Sequence, residues 1–191
     1  TNIFNGLGQI VEKNYPLSEM TWFGLGGNAE YFIRPKTAEQ LAEAARLCSE
    51  NNLPLRVLGF GSNLLIRDEG VKGVVIKLEQ EEFCKIEHKD NLLIAGAGAD
   101  LGKLVLDCVR KGRGGLEALA GIPGSIGGAV RMNAGGNFGD IGSVVESVML
   151  MDSQGQIFEK SKPELQFDYR HSNITTKIIL AAKLKLSEAD P

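Results

Sequence analysis

The 191-residue sequence predicts an α+β fold, a small β-α-β lobe followed by a second mixed lobe, with no linker long enough to separate them. Three observations carry this. A capped amphipathic helix stands between apolar, strand-like runs. After residue 80 the pattern changes to short strands joined by polar tips. Glycine makes up 24 of 191 residues, against a usual ~7%, and the interval from Gly121 to Gly142 is especially rich in it. Ile122, Ile126, Val130, Met132 and Ile141 are interleaved with those glycines, so the stretch reads as backbone held close to something else, not as a linker.

The first strand expected is Ala29 to Arg34. The clearest helix runs from Thr37 to Asn51, because Thr37 with Gln40 three residues later forms a capping box. Leu41, Ala44, Ala45, Leu47 and Cys48 then share one face. Strands Pro54 to Leu58 and Gly73 to Leu78 follow, the second after a turn at Glu69-Gly70. Glu82 to Glu87 and Asn91 to Ala95 read as a hairpin with Lys89 and Asp90 at its tip. Asp100 is the expected N-cap of a second helix that buries Leu101, Leu104, Val105 and Cys108. Val144 to Met151 and Gln156 to Lys160 flank Ser153-Gln154-Gly155 as another hairpin, and Lys177 to Leu186 is the last strand.

Composition narrows the function. A net charge of −3 and a pI near 5.5 argue against a nucleic-acid binder. No apolar stretch approaches the ~20 residues of a membrane span, and Thr1 to Gly8 has no signal pattern, so a cytoplasmic protein is expected. Cys48, Cys84 and Cys108 form no Cys-x-x-Cys pair and, with only His88 and His171 beside them, make a poor metal set. No metal is expected, and Asn173-Ile174-Thr175 matches a glycosylation acceptor by chance.

Two segments carry chemistry. In the first, Gly59, Phe60, Gly61, Ser62, Asn63 and Leu64 follow a predicted buried strand. Glycines there let backbone N–H groups face an anion, and Ser62 and Asn63 add donors. Leu64 stands at the third position of a dinucleotide fingerprint and no P-loop lysine follows, so the segment reads as a phosphate cradle or a plain tight turn. The second, stronger segment contains Gly121, Gly124, Ser125, Gly127, Gly128 and Ala129 and continues to Asn133 and Gly136. Ser125 as N-cap of a short helix would aim several N–H groups and a positive helix end at a pyrophosphate. Gly96 to Gly102 reads instead as a strand end turning into an Asp-capped helix. Arg170, in the polar run Asp168 to His171, could stabilise a developing oxyanion, or the run could be a solvated loop.

Thr21 to Gly27, Leu58 to Leu65, Gly121 to Gly135 and Tyr169-Arg170-His171-Ser172, in this order, resemble the UDP-N-acetylenolpyruvoylglucosamine reductase family. The resemblance implies a two-subdomain FAD-binding fold of the vanillyl-alcohol-oxidase type. An N-terminal segment 1–20 would precede subdomains 21–80 and 81–191. FAD would be held non-covalently, its pyrophosphate between the Gly59 to Leu64 loop and the Gly121 to Ala129 segment, with Asn133 near the flavin. NADPH would be the reductant and a UDP-sugar enolpyruvyl ether the small-molecule substrate, in peptidoglycan precursor synthesis. Tyr169 and Arg170 match the family's pair, tyrosine holding substrate and arginine stabilising the enol. The family's third domain, with a serine proton donor in a Gly-Ser-Phe-Phe type segment and a late glutamate, has no counterpart in these 191 residues. Little turnover by the chain alone is therefore expected. A monomer is expected. A non-catalytic nucleotide-binding module and a flavin oxidase of the same superfamily are the other readings. Gly127→Val is expected to weaken cofactor binding, whereas a similar change at Gly155, in a hairpin tip, is expected not to weaken it.

Overall fold

The computed structural model describes residues 3–189; Thr1, Asn2, Asp190 and Pro191 lie outside the described residues. Strand β1 (Val11–Pro16), β2 (Asn28–Ile33), helix α1 (Ala38–Glu50), β3 (Leu55–Leu58) and β4 (Val71–Lys77) form the first lobe. Its sheet order is β1-β2-β4-β3. β1 runs antiparallel to β2, whereas β2 and β3 both pair with β4 in parallel. β1 has no apolar alternation and was not expected. It is held from outside, by pairing with β2, by Tyr15 stacked on Phe32 at 4.3 Å between ring centroids, and by the Arg34–Glu12 ion pair.

The second lobe contains the short helix α2 (Glu81–Cys84), β5 (Ile86–Lys89), β6 (Leu92–Gly96), α3 (Leu101–Arg110), α4 (Ile126–Arg131), β7 (Val145–Met151), β8 (Ile157–Ser161) and β9 (Ile178–Lys185). Its antiparallel sheet has the order β8-β7-β9-β6-β5. The strand expected from Glu82 begins only at Ile86. Residues 81–84 turn helical instead because Phe83 is buried by that turn, while Glu81 and Glu82 sit in its first turn, where acidic side chains are favoured. Glu82 has a second task, accepting the Ala38 N–H at the start of α1 at 2.9 Å.

The helix caps explain why each helix starts where it does. Thr37 accepts from Gln40 N–H at 3.4 Å, but the Gln40 side chain accepts from Lys36 N–H rather than Thr37, so the expected reciprocal box is displaced by one residue. Asp100 accepts from Lys103 N–H at 3.0 Å. Leu41, Ala44, Ala45 and Cys48 of α1 and Leu101, Leu104, Val105 and Cys108 of α3 are buried as their spacing requires. Leu47 is only half-buried.

Both lobes share one apolar core: Ile33, Leu41 and Ile76 belong to the same packed cluster as Leu93, Leu104, Val148 and Leu184. A smaller cluster of Leu17, Ala29, Phe32, Leu58 and Val75 covers the other face of the first sheet. The β7–β8 hairpin tip rests on α1. Gly155 has φ +78°, and a Cβ there would lie 2.8 Å from the Ala42 Cβ. Gly155 is therefore a point of contact between the lobes and not a free hairpin tip, so a side chain there would disturb packing against α1.

Close backbone approach also fixes Gly98, where a Cβ would stand 1.9 Å from the Leu78 carbonyl oxygen and 2.9 Å from the Cys84 Sγ, whereas Gly136 faces open space. Gly98→Ala is expected to cost about 1–3 kcal/mol through overpacking. Gly136→Ala should stay within ~0.5 kcal/mol. Urea unfolding midpoints of the two variants check this; equal midpoints would refute it.

Candidate functional site

β3 and β4 are parallel neighbours, so the chain must return from the end of one to the start of the other, and it does so through the irregular segment 59–70. Among the described residues, the N–H groups of Phe60, Gly61, Ser62 and Asn63 find no acceptor. The segment is held from its far side. The Gly61 carbonyl accepts from Trp22 N–H at 3.3 Å, and Gly61, at φ +67°, lies so close to Met20 that a Cβ would fall 2.0 Å from its carbonyl oxygen. No L-residue with a side chain fits there without strain.

The second glycine segment faces the first. Ser62 Oγ donates to the Pro123 carbonyl at 2.9 Å. A Cβ on Gly59 would lie 2.6 Å from the Ser125 Oγ. Ser125 caps α4 by accepting from Gly128 N–H at 3.3 Å. The first-turn donors of α4 are nevertheless not free. Ile126 N–H donates to the Ala99 carbonyl at 2.9 Å and Gly127 N–H to the Ala97 carbonyl at 2.8 Å. The expectation of a helix N-terminus aimed at a ligand is corrected accordingly. The unpartnered donors on this side, among the described residues, are the N–H groups of Gly121, Gly124 and Ser125, ahead of the helix.

These two rows of donors line one cavity of about 710 Å³, whose wall includes Gly59 to Leu64, Gly121, Gly124, Ser125, Gly128, Ala129 and Arg170. Gly127 lies instead on a smaller adjoining recess of about 110 Å³ between the lobes, with Lys77, Glu79, Ala97 and Gly98. Arg131 lines both. The Gly96 to Gly102 segment does form the strand end and capped helix expected of it. It also supplies the bed on which α4 lies, since a Cβ on Gly127 would come within 2.9 Å of the Ala97 Cβ. Gly127→Val thus strikes a packing contact, which makes it a poor probe of cofactor approach.

Lys77, Glu79 and Arg131 were missed by the sequence reading. Lys77 Nζ donates to the Gly59 carbonyl at 2.9 Å, and Arg131 donates to the carbonyls of Ile174, Thr176 and Lys177. Burial holds both cations below their ordinary pKa values, with Glu79 working in the opposite direction on Lys77. No spacing motif marks them; only the alternation of β4 and the helical face of α4 bring them inward.

Two expected site residues behave differently. Asn133 is buried, at φ 43°, and does not line the cavity. Its Nδ2 donates to the Asp168 carbonyl at 3.1 Å and its Oδ1 accepts from Gly142 N–H at 3.0 Å, so it fixes the base of the loop that carries Arg170. Arg170 and Tyr169 form the tip of a two-residue hairpin between Phe167–Asp168 and His171–Ser172. Arg170 adopts φ 55°, a left-handed conformation uncommon for a non-glycine residue. Tyr169 is 86% exposed and off the cavity wall, its ring 5.9 Å from the Arg170 guanidinium. Asn133→Ala removes both buried hydrogen bonds and is expected to cost about 1–3 kcal/mol, read as a lowered urea midpoint; an unchanged midpoint would show that the anchor is dispensable.

Comparison with known proteins bears on this geometry. A UDP-N-acetylenolpyruvoylglucosamine reductase from Rhodopirellula baltica is 40% identical over 181 residues, covering 95% of this chain and 59% of the relative. The crystal structure of UDP-N-acetylenolpyruvylglucosamine reductase from Thermus caldophilus matches with a TM-score of 0.82 at 39% identity, over 94% of this chain and 63% of that one. The chain therefore spans about three fifths of the length of the proteins it matches. A solvent-stable cholesterol oxidase, 15% identical with a TM-score of 0.71 over 95% of this chain and 38% of its own, shares the fold alone. That agrees with the vanillyl-alcohol-oxidase type architecture expected from sequence. A sequence model described as an FAD binding domain matches residues 29–161, through both glycine segments and into both sheets. The chain belongs to this FAD binding domain family.

Proposed function

We propose that this chain is the FAD-binding part of an NADPH-dependent reductase that converts UDP-N-acetylglucosamine enolpyruvate to UDP-N-acetylmuramate in peptidoglycan precursor synthesis, in the cytoplasm. The two subdomains would be residues 21–80 and 81–191, the first enlarged by β1 (Val11–Pro16) and Leu17, which the expected N-terminal segment 1–20 contributes to its sheet and core. The observation that carries the cofactor part is the pair of opposed loops with unpartnered N–H groups on one 710 Å³ cavity. Such donors cost free energy when left unpaired in a folded protein unless water or a ligand takes them, and a pyrophosphate supplies the oxygens. The likeness at about 40% identity to proteins named for this reaction supports the rest.

The chain's residues fit the group. Gly59 to Asn63 and Gly124 to Ser125 would donate backbone N–H to the pyrophosphate. Leu64, Gly121, Gly128 and Ala129 would line its course without obstructing it. When bound, FAD supplies two-electron hydride chemistry. Arg170, on the cavity wall, would stabilise negative charge as it develops on the enolpyruvyl substrate. Its left-handed backbone is the kind of local strain kept at functional positions. Tyr169, beside it and exposed, would contact substrate from outside the cavity. No cysteine or histidine among the described residues lines the cavity, and burial pushes the Cys48 and Cys108 thiols up to about 11, where they are protonated and unreactive at neutral pH. These facts favour non-covalent binding. No helix among the described residues is long and apolar enough to cross a membrane.

Titration of the flavin-free chain with FAD is expected to quench flavin fluorescence to a 1:1 endpoint, and acid precipitation should release all the flavin. Absence of binding would overturn the reading, and flavin left on the precipitate would favour a tethered oxidase.

Reduction of the enolpyruvyl group requires a proton at the carbon next to the one that receives hydride, and a positioned general acid contributes ~100 to 10,000-fold. The role Arg170 would have is to stabilise charge; an arginine side chain is not a general acid of that kind. We expect the 191-residue chain, given NADPH and substrate, to oxidise NADPH slowly and to form almost no UDP-N-acetylmuramate, as followed by product chromatography. Rapid stoichiometric product would show that a proton donor lies within this chain.

A further inference from the structure

We propose that the recess between the two lobes is an anion site in which Lys77 and Arg131 hold the diphosphate of a dinucleotide. The identity of the dinucleotide as FAD rests on the reading above; the charge of the site does not.

Lys77 ends β4 and Arg131 ends α4, so the two cations come to one recess from different lobes. Each is half-buried, and each is bonded only to neutral oxygens. Lys77 Nζ donates to the Gly59 carbonyl at 2.9 Å, and the Arg131 guanidinium donates to the carbonyls of Ile174, Thr176 at 2.5 Å and Lys177 at 3.0 Å. Among the described residues, no carboxylate stands within 4.0 Å of either cation. The one carboxylate on the recess wall, Glu79, is paired with Arg34 at 2.8 Å. A carbonyl dipole partly solvates a cation but does not neutralise it, and an unpaired charge drawn away from water is costly. Arg131 cannot shed that cost by deprotonation, because a guanidinium stays charged in proteins. An anion relieves it.

Position and number point to a diphosphate. Arg131 is on the walls of both the recess and the wide cavity, at their junction. Lys77 is bonded to the first residue of the loop whose N–H groups are unpartnered. Two fixed cations with two rows of neutral donors match a group that carries two charges and several oxygens. An uncharged flavin offers no such group, so Lys77 and Arg131 would select a dinucleotide over riboflavin.

The test uses the full chain without flavin and the variants Lys77→Met, which keeps the packed stem, and Lys77→Arg, which keeps the charge. Arg131→Met also cuts three backbone bonds and is scored only if it unfolds cooperatively. Sodium pyrophosphate should raise the Tm of the wild type by several degrees over sodium chloride of equal ionic strength. That gain should vanish in Lys77→Met and persist in Lys77→Arg. In fluorescence titrations Lys77→Met should weaken FAD about tenfold or more and leave riboflavin within twofold. Absence of a pyrophosphate-specific gain in the wild type, or equal weakening of FAD and riboflavin, overturns the anion site. If FAD binds and Lys77→Met leaves its affinity unchanged, the anion site fails while the flavin reading stands. If no flavin binds but the Lys77-dependent pyrophosphate effect is present, the flavin reading fails and the anion site stands.

Discussion

Parallel pairing of β3 with β4 is the constraint on which the site depends. Two parallel neighbours cannot be joined by a tight turn, so the chain leaves Leu58 and returns at Val71 through a long irregular excursion. In most α/β units a helix fills such a crossover and consumes its own backbone donors. Here no helix forms, and the donors from Phe60 to Asn63 are left facing a cavity at the carboxyl end of the strand, where open α/β sheets bind ligands.

Glycine serves this arrangement by permitting approach more than by flexibility. Gly61 lies against Met20, Gly59 against Ser125, Gly127 against Ala97 and Gly98 against Leu78, each with room for no more than a hydrogen. Together they bring the crossover loop, the β6–α3 connection and α4 within hydrogen-bonding reach of one another. The bonds Ser62–Pro123, Gly127–Ala97 and Ile126–Ala99 then lock the set. α4 is short, and its donors are spent on holding it in place. That is why the free donors belong to the loops on either side of the helix and not to the helix end.

The lobes are joined at more than one point. The common core passes through α1, Gly155 seats the β7–β8 tip on that helix, and Gln154 Nε2 donates to Ser49 Oγ at 3.2 Å. Lys77 and Arg131 meet in the recess from opposite lobes. A cavity whose walls come from two lobes fixed in this way needs little rearrangement to keep its shape, and preorganisation of that kind is what keeps the cost of binding low.

Local patterns in the sequence determined much of this on their own. Thr37 and Asp100 mark helix starts because their side chains compete for nearby N–H groups, and the apolar spacing of α1 and α3 fixes which faces are buried. The two glycine segments announced themselves by density, since few structural loops need so many residues without a side chain. What stayed hidden was set by contacts distant in sequence. β1 is polar and becomes a strand only against β2. Glu81 to Cys84 has the composition of a strand end and turns helical to bury Phe83. Asn133 reads as part of a binding segment, yet its side chain is spent on Asp168 and Gly142, and Gly155 reads as a free tip until α1 is packed beneath it. Lys77 and Arg131 look like ordinary surface cations. Only the tertiary fold turns them toward one recess, because their depth depends on which strands and helices close over them and not on their neighbours in the chain.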